Sequence, residues 1–363
     1  MSKRIRIKDI ALKAGVSKGT VDRVLHNRGN VSPDARKKVV EAMEELSYEP
    51  NVIASALASN RTWKIAVLIP DNENDPFWEQ PLSGIKRARQ ALRDYGVVID
   101  VYLFRDADPP HFKALGDQIL EGQYDGLLIS PSFVKEGHEF LNKCMEQELC
   151  YIQINTYLER SDPSFLAYIG QDSYSSGVLA AKLLNFGMEK GATAMILHME
   201  KEVYNAMHLI DKEKGFRNFF YTHPQKNIQI LNVTYGDVFD KEGLHELMRD
   251  NFENHPKISG IFVTTSKLFH LVPILKNLQK EHIKLVGFDL IPSNLNCLYE
   301  DSIHFLINQN PYKQGFLGIM NLFNHMVLKK SIKKLQMLPL DVVMRENVQY
   351  YLEDKHEKLH III

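Results

Sequence analysis

From Lys64 onward, short apolar runs alternate with amphipathic stretches, and IAVLIP, VVIDVYLF, DGLLIS, CYIQIN, AMILHM, IQILNV, ISGIFVT and IKLVGFD stand out as eight candidate strands. Most are continuous Val, Ile and Leu runs, the pattern of parallel strands covered on both faces. Helix-length segments separate them, among them 77–95, 173–188 and 241–254. Repeated βα units of this kind predict an α/β body in two sheets, because eight strands over about three hundred residues exceed one comfortable core. Ahead of Lys64 the period changes. In IKDIALKAGVSKGTVDRVLH the apolar positions Ile10, Ala11, Ala14, Val16, Val21 and Val24 predict a short helix, a turn at Gly15 and a second helix capped by Ser17. Ser32 and Pro33 then mark a helix start, Val39, Ala42, Met43 and Leu46 recur at helical spacing, and Pro50 ends the third helix. Residues 51–59, rich in Ala and Ser, could be helical but carry little apolar surface to hold a helix alone.

Charge sharpens this division. The net charge of −1 conceals +5 in residues 1–61 and −6 in the remainder, a basic head on an acidic body, so that only the head is suited to a polyanion. No run approaches about eighteen apolar residues, and the start, MSKRIRIKDIALKAG, is broken by charge, so neither a membrane span nor a signal peptide is expected and a cytoplasmic location is. Cys144, Cys150 and Cys297 lack CxxC spacing and are read as buried thiols. No GxSxG, HExxH or Walker loop occurs, and His138, His198, His208 and His270 stand isolated, so the expectation is a protein that is no enzyme and needs neither metal nor cofactor. A transport or chemotaxis receptor would share the body, but the basic head speaks against it.

On the second predicted helix, Lys18, Gly19, Asp22, Arg23 and His26 fall on the outward surface. A carboxylate there cannot favour phosphate. Asp22 can accept from a cytosine amine, orient Arg23 or Lys18, or form a salt bridge that only offsets its own cost. Leu57, one turn beyond Ala54, is either an apolar wedge for a minor groove or part of a plain linker. DIALKAGVSKGTVDRVL, YEPN and ASALAS, in this order and spacing over residues 5–60, resemble the headpiece of the LacI/GalR family of bacterial transcription regulators. The resemblance implies a homodimer on a pseudo-palindromic double-stranded operator, with Lys18, Gly19, Thr20, Asp22, Arg23 and Asn30 at the major groove and Ala54 and Leu57 in a hinge. Lys3, Arg4, Lys18 and Arg36 would supply phosphate contacts. Asp22 departs from the serine usual in the family.

In folds of this type ligands sit beyond the carboxyl ends of strands. There the sequence places Asp75, Phe77 and Trp78, suited to hydroxyls and a flat sugar face, and then Asn155, Ser266, Lys267, Asp289 and Gln309, with Lys212 on a helix after AMILHM. NDPFW, IGQDSYSSG, VGFD and NQNP make residues 64–352 similar to periplasmic-binding-protein sugar domains, particularly the ribose-binding branch. That resemblance implies two lobes, one from residues near 64–158 and 292–325, joined by three crossings around a carbohydrate effector bound by Asp75, Phe77, Trp78, Asn155, Lys212, Ser266, Asp289 and Gln309. Asn155-Thr156 and Ser266-Lys267 depart from the usual Asp-Arg and Asn-Asp pairs. Lysines at 212 and 267 would tolerate a negative ligand, which points to an acidic sugar such as a uronate or sugar phosphate. The expected organisation is a helix-turn-helix headpiece (1–50), a hinge (51–63), a two-lobed effector and dimerisation domain (64–352) and a tail (353–363), forming a repressor that releases DNA on binding its effector.

Overall fold

The computed structural model describes residues 5–25, 29, 31–46, 48, 61–73, 75–105, 107–201 and 203–353. Lys3, Arg4, His26, Asn30, Pro50, Ala54 and Leu57, the hinge up to residue 60, and the tail from 354 lie outside them. The chain divides into two units, the first ending at Asn60 and the second beginning at Arg61.

The first unit contains α1 (Ile7–Ala14), α2 (Lys18–Leu25) and α3 (Pro33–Glu45). Gly15 ends α1 at φ 65°, a left-handed conformation that glycine adopts without a Cβ clash, and the next amide, of Val16, donates back to the Ala11 carbonyl at 3.0 Å. Ser17 caps α2 by accepting the Thr20 amide at 3.1 Å, and Ser32 caps α3 by accepting that of Ala35 at 3.3 Å. Ile10, Val21 and Val39 are fully buried where the helices meet, with the small Ala11, Ala14 and Ala42 allowing close approach. Helix α3 stops earlier than the proline suggested. Leu46 already caps it, and the Tyr48 amide turns back to the Met43 carbonyl at 2.9 Å.

The second unit holds twelve strands among the described residues: β1 (Trp63–Pro70), β2 (Val97–Phe104), β3 (Gly126–Ile129), β4 (Tyr151–Ile154), β5 (Phe165–Gly170), β6 (Thr193–His198), β7 (Gln229–Thr234), β8 (Ile258–Val263), β9 (Lys284–Phe288), β10 (Phe305–Asn308), β11 (Leu335–Met337) and β12 (Asp341–Val343). They form two six-stranded sheets, ordered β11-β5-β4-β3-β1-β2 and β12-β10-β9-β8-β6-β7, parallel except where β12 meets β10. The helices are α4 (Glu79–Ala91), α5 (Pro109–Glu121), α6 (Val134–Glu146), α7 (Ser173–Gly187), α8 (Met207–Thr222), α9 (Lys241–Asn254), α10 (Leu271–Asn277), α11 (Pro292–Tyr299), α12 (Pro311–Met326) and α13 (Val348–Glu353). Central strands such as β6 are buried along their whole length, whereas the edge strands β2 and β7 mix buried and exposed positions.

Each sheet anchors one lobe, and the lobe boundaries differ from those the resemblance implied. β5 pairs with β4 and so extends lobe one to Gly170. α11 and β10 belong to lobe two, because β10 pairs with β9 and Leu298, Ile303 and Leu306 join its core. Lobe one resumes at α12. The chain therefore crosses at 171–172, 309–310 and 338–340. In both lobes a helix pair meets through glycine: a Cβ on Gly84 of α4 would lie 2.1 Å from the Tyr312 carbonyl oxygen of α12, and one on Gly177 of α7 would lie 1.9 Å from that of Lys212 of α8. Of the cysteines Cys144 is buried, while Cys150 and Cys297 are only half-buried. Among the described residues no helix is long and apolar enough to cross a membrane.

Candidate functional site

The carboxyl ends of strands from both sheets face one cleft between the lobes. All eight side chains chosen from the sequence line it: Asp75, Phe77, Trp78 and Asn155 from lobe one, Lys212, Ser266 and Asp289 from lobe two, and Gln309 from the second crossing. Asp75 precedes the short 3-10 turn Pro76–Trp78 and caps it, its Oδ1 accepting the Phe77 amide at 3.0 Å. The same oxygen accepts the Ser266 hydroxyl across the cleft at 2.8 Å. Phe77 and Trp78 are buried edge to face, their centroids 5.0 Å apart. Asn155 and Asp289 both take left-handed backbone at the ends of their strands, φ 61° and 68°. Such a turn directs the chain away from the sheet end and presents a short polar side chain there.

Lys212 is 2 % exposed; its ammonium lies 3.6 Å from the Phe288 ring centroid and donates to the Thr264 carbonyl at 3.0 Å. Burial pushes this lysine down to about 7, against the opposing pull of Asp289 and Asp75. Burial likewise pushes Asp289 up to about 7, opposed by Lys212 and by a hydrogen bond from the Gln309 amide. Gln309 in turn accepts from the Gln171 amide, so a side-chain chain runs from the first crossing through the second to Asp289. Asp289 Oδ1 remains buried without a hydrogen-bond partner.

The two lysines that suggested an anionic ligand each have acidic neighbours within the protein. Lys267, 7 % exposed, pairs with Glu200 at 3.1 Å, and Lys212 is balanced by two carboxylates. Both ammoniums neutralise the protein's own acids.

Several lining residues escaped the sequence reading, notably Ser132, Phe133, Glu200, His208, Thr264 and Thr265. Glu200 follows the AMILHM run, so the strand-end rule could have found it. His208 precedes Lys212 by four residues on α8 and therefore shares its face. It bonds Thr156 of the other lobe at 3.2 Å, and burial, with Lys212 and His198 nearby, pushes it down to about 3. His198 is fully buried between Thr264, at 3.0 Å, and Glu213, at 2.9 Å, and burial holds it below its usual value. Asn294 gave no signal in the sequence. Its buried amide donates to the carbonyls of Ser266, Phe288 and Asp289 at 2.8, 2.9 and 3.2 Å, tying together two loops of the cleft. Among the described residues no group of three or more His, Cys, Asp or Glu side chains could hold a metal ion.

On the separate headpiece, α2 exposes Lys18, Gly19 and Arg23, with Thr20 and Asp22 half-buried beside them. A Cβ on Gly19 would meet only the Ser17 hydroxyl, at 3.7 Å, so the fold itself does not demand glycine there.

Residues 65–330 match the family model for the periplasmic binding protein domain, and residues 6–51 match that for bacterial regulatory proteins of the lacI family. The chain belongs to the LacI family. Like others in it, this LacI-family regulator joins a DNA-binding headpiece to a sugar-binding type of effector domain, and is a DNA-binding transcription regulator under small-molecule control. Relatives include the HTH-type transcriptional regulator MalR of Streptococcus pneumoniae, 25 % identical over 80 % of this chain and 85 % of that protein. The catabolite repressor/activator of Escherichia coli K12 is 26 % identical over 73 % of this chain and 75 % of its own. Among solved structures, a putative LacI transcriptional regulator from Bacteroides fragilis superposes with a TM-score of 0.73 at 26 % identity, covering 80 % of the LacI-family chain described here and all of that one. An Agrobacterium vitis solute-binding protein with bound α-D-tagatopyranose shares the fold of the effector domain, with a TM-score of 0.71 at 21 % identity over 81 % of this chain and 98 % of that one.

Proposed function

We propose that this regulator, a cytoplasmic homodimer, represses from a pseudo-palindromic operator and releases it when a neutral sugar occupies the cleft. Asp75, Phe77, Trp78, Asn155, Lys212, Ser266, Asp289 and Gln309 make the sugar contacts. The observation that carries this reading is the unpartnered Asp289 Oδ1, buried in the wall of the cleft. Leaving a buried acceptor unmet costs about 1–3 kcal/mol, and a ligand hydroxyl donating there removes that cost. A carboxylate or phosphate group, which brings only acceptors, does not remove it, so the ligand presents a hydroxyl at this point. Phe77 and Trp78 supply apolar area for the ring face.

On DNA, Lys18, Gly19, Thr20, Asp22, Arg23 and Asn30 face the major groove, and Ala54 and Leu57 act in the hinge. An Arg23 fork on a guanine contributes roughly 1–3 kcal/mol of discrimination, and Asp22 either accepts from a cytosine amine or orients Arg23 or Lys18. Sugar binding shifts the two lobes and disfavours hinge ordering. A coupling of about 1–3 kcal/mol gives a 5- to 150-fold change in operator affinity. Catalysis plays no part in this scheme, in keeping with relatives that carry the names of transcription regulators.

Duplexes selected in vitro for binding the full chain, tested by gel shift against a sugar panel, decide the matter. The panel holds D-tagatose, D-arabinose, D-fucose, D-glucose and D-galactose beside D-glucuronate and glucose 6-phosphate. Release by a neutral sugar and not by its acidic relatives is expected. Release by the acidic members alone, or enzymatic conversion of a panel sugar, refutes the reading.

A further inference from the structure

Helix α6 of lobe one begins without a cap of its own, because the residue before it is Phe133, whose side chain carries no acceptor. The first amides of any helix lack partners within it and are usually met by a side chain just ahead in sequence. Here the acceptor comes from the other lobe. Asn205, at the end of the 3-10 turn Val203–Asn205, accepts the amide of Lys135, the second residue of α6, through Oδ1 at 3.2 Å. Its Nδ2 donates to Glu136 Oε2 at 3.1 Å. The turn is anchored to lobe two, where Val203, Ala206 and Leu209 pack together at the start of α8. Next along the chain, Met207 packs against the core of lobe one.

We propose that Asn205 is a positioning residue for the effector cleft: it caps α6 across the lobes and holds the closed arrangement before any sugar arrives. Of the other cross-lobe bonds, Asp75 with Ser266 and Thr156 with His208 each include a residue that lines the cleft, so an entering ligand must rearrange them, while the Gln80 amide donates to the Leu290 carbonyl at 3.3 Å outside the lining. Asn205 stands outside the lining, so a ligand in the cleft does not have to displace its bonds. Opening the lobes strips α6 of its cap, and the loss opposes opening. The closed lobes consequently keep a standing population that a sugar has only to enrich. The pocket residues Ser132 and Phe133 just before α6, and Ala206 and His208 just after Asn205, are brought into register by the same contact.

The test needs no sugar, so its failure would leave the neutral-sugar reading intact. Nitroxides are attached to the full chain at Gln90→Cys on α4 and Lys182→Cys on α7, with Cys150 and Cys297 replaced by alanine, and the distance between lobes is measured by pulsed electron resonance. The parent protein shows a closed component, and Asn205→Ala raises the open-to-closed ratio roughly 2- to 30-fold, the range of a lost helix cap. Asn205→Asp keeps the acceptor but sets a carboxylate against Glu136; combining it with Glu136→Gln restores both bonds and the parent distribution. The proposal is overturned if the parent shows no closed component, if Asn205→Ala leaves the ratio unchanged, or if the double variant stays as open as the alanine variant.

Discussion

Replacing Asn294 by leucine keeps the side-chain volume near the original and removes every polar bond made at that position. The side chain is fully buried on α11, and its two amide hydrogens serve three carbonyls, one of them shared. Its Oδ1 accepts the Phe269 amide at 3.1 Å, which makes three effective bonds in all. Each buried group left unmet costs about 1–3 kcal/mol, so with some relaxation of the loops the loss should reach roughly 3–6 kcal/mol. That is a large part of the roughly 5–15 kcal/mol that keeps a typical domain folded. Urea unfolding of the full chain, followed by circular dichroism, reads the loss directly from the shift in midpoint at constant slope. Because the three carbonyls belong to Ser266, Phe288 and Asp289, release of operator by sugar should weaken in the same variant. Asn294→Asp, which keeps the acceptor but loses both donors, should be about as damaging. A loss below about 1 kcal/mol with the slope unchanged would refute the reasoning, since it would mean that these loops hold their shape without the amide.

Two glycines should respond in opposite ways. Gly177→Ala drives a Cβ into the Lys212 carbonyl and should cost about 3 kcal/mol, lowering the melting temperature. Gly19→Ala, which has room for the methyl and gains about 1 kcal/mol of helix propensity, should raise the melting temperature slightly and weaken operator binding in a gel shift. Asp289→Asn removes a charged acceptor and should weaken sugar binding roughly 10- to 150-fold by calorimetry, as expected for about 1.5–3 kcal/mol. His208 sets a pH dependence: its folded value, pushed down to about 3, lies below the ordinary value near 6.5, so the unfolded chain takes up the proton first. The stabilising contribution is complete above about pH 6.5 and shrinks as pH falls toward 3, by about 2 kcal/mol at pH 5. His208→Asn should flatten that part of the urea midpoint curve between pH 7 and 5, and an unchanged curve would exclude His208 as its source.

The headpiece was legible because its signals are local: a glycine turn, two serine caps and apolar residues one helical turn apart. The eight strands read from continuous apolar runs are all present, and FLIN, whose end places Gln309, is β10. β11 and β12 have only three residues each and carry no local pattern, and β5, FLAYIG, has an apolar run broken by Tyr168. Lobe membership was misread for the same physical reason. Which sheet a strand joins is decided by pairing with residues far away, as β10 with β9, and no local pattern records it. Strand ends, by contrast, fix where side chains converge, so Asp75 and Asp289 could be placed together across more than two hundred residues. The compensation of Lys267 by Glu200 was invisible, because an ion pair depends on where each chain end turns after its strand. Asn294 was hidden because one polar residue in a short helix looks like a solvated one until the loops around it are known.

The glycine crossings give the protein its mechanical character. With carbonyl oxygens lying where a Cβ would sit, the α4–α12 and α7–α8 pairs have no side-chain cushion to slide on, so shear between the two helices of each pair is opposed. Strain from the cleft has few places to go. It collects in the three short crossings at 171–172, 309–310 and 338–340, two of which carry the linked amides of Gln171 and Gln309. The crossings of the cleft and the groups that meet its contents are then partly the same atoms, because the Gln309 amide of the second crossing holds the Asp289 carboxylate.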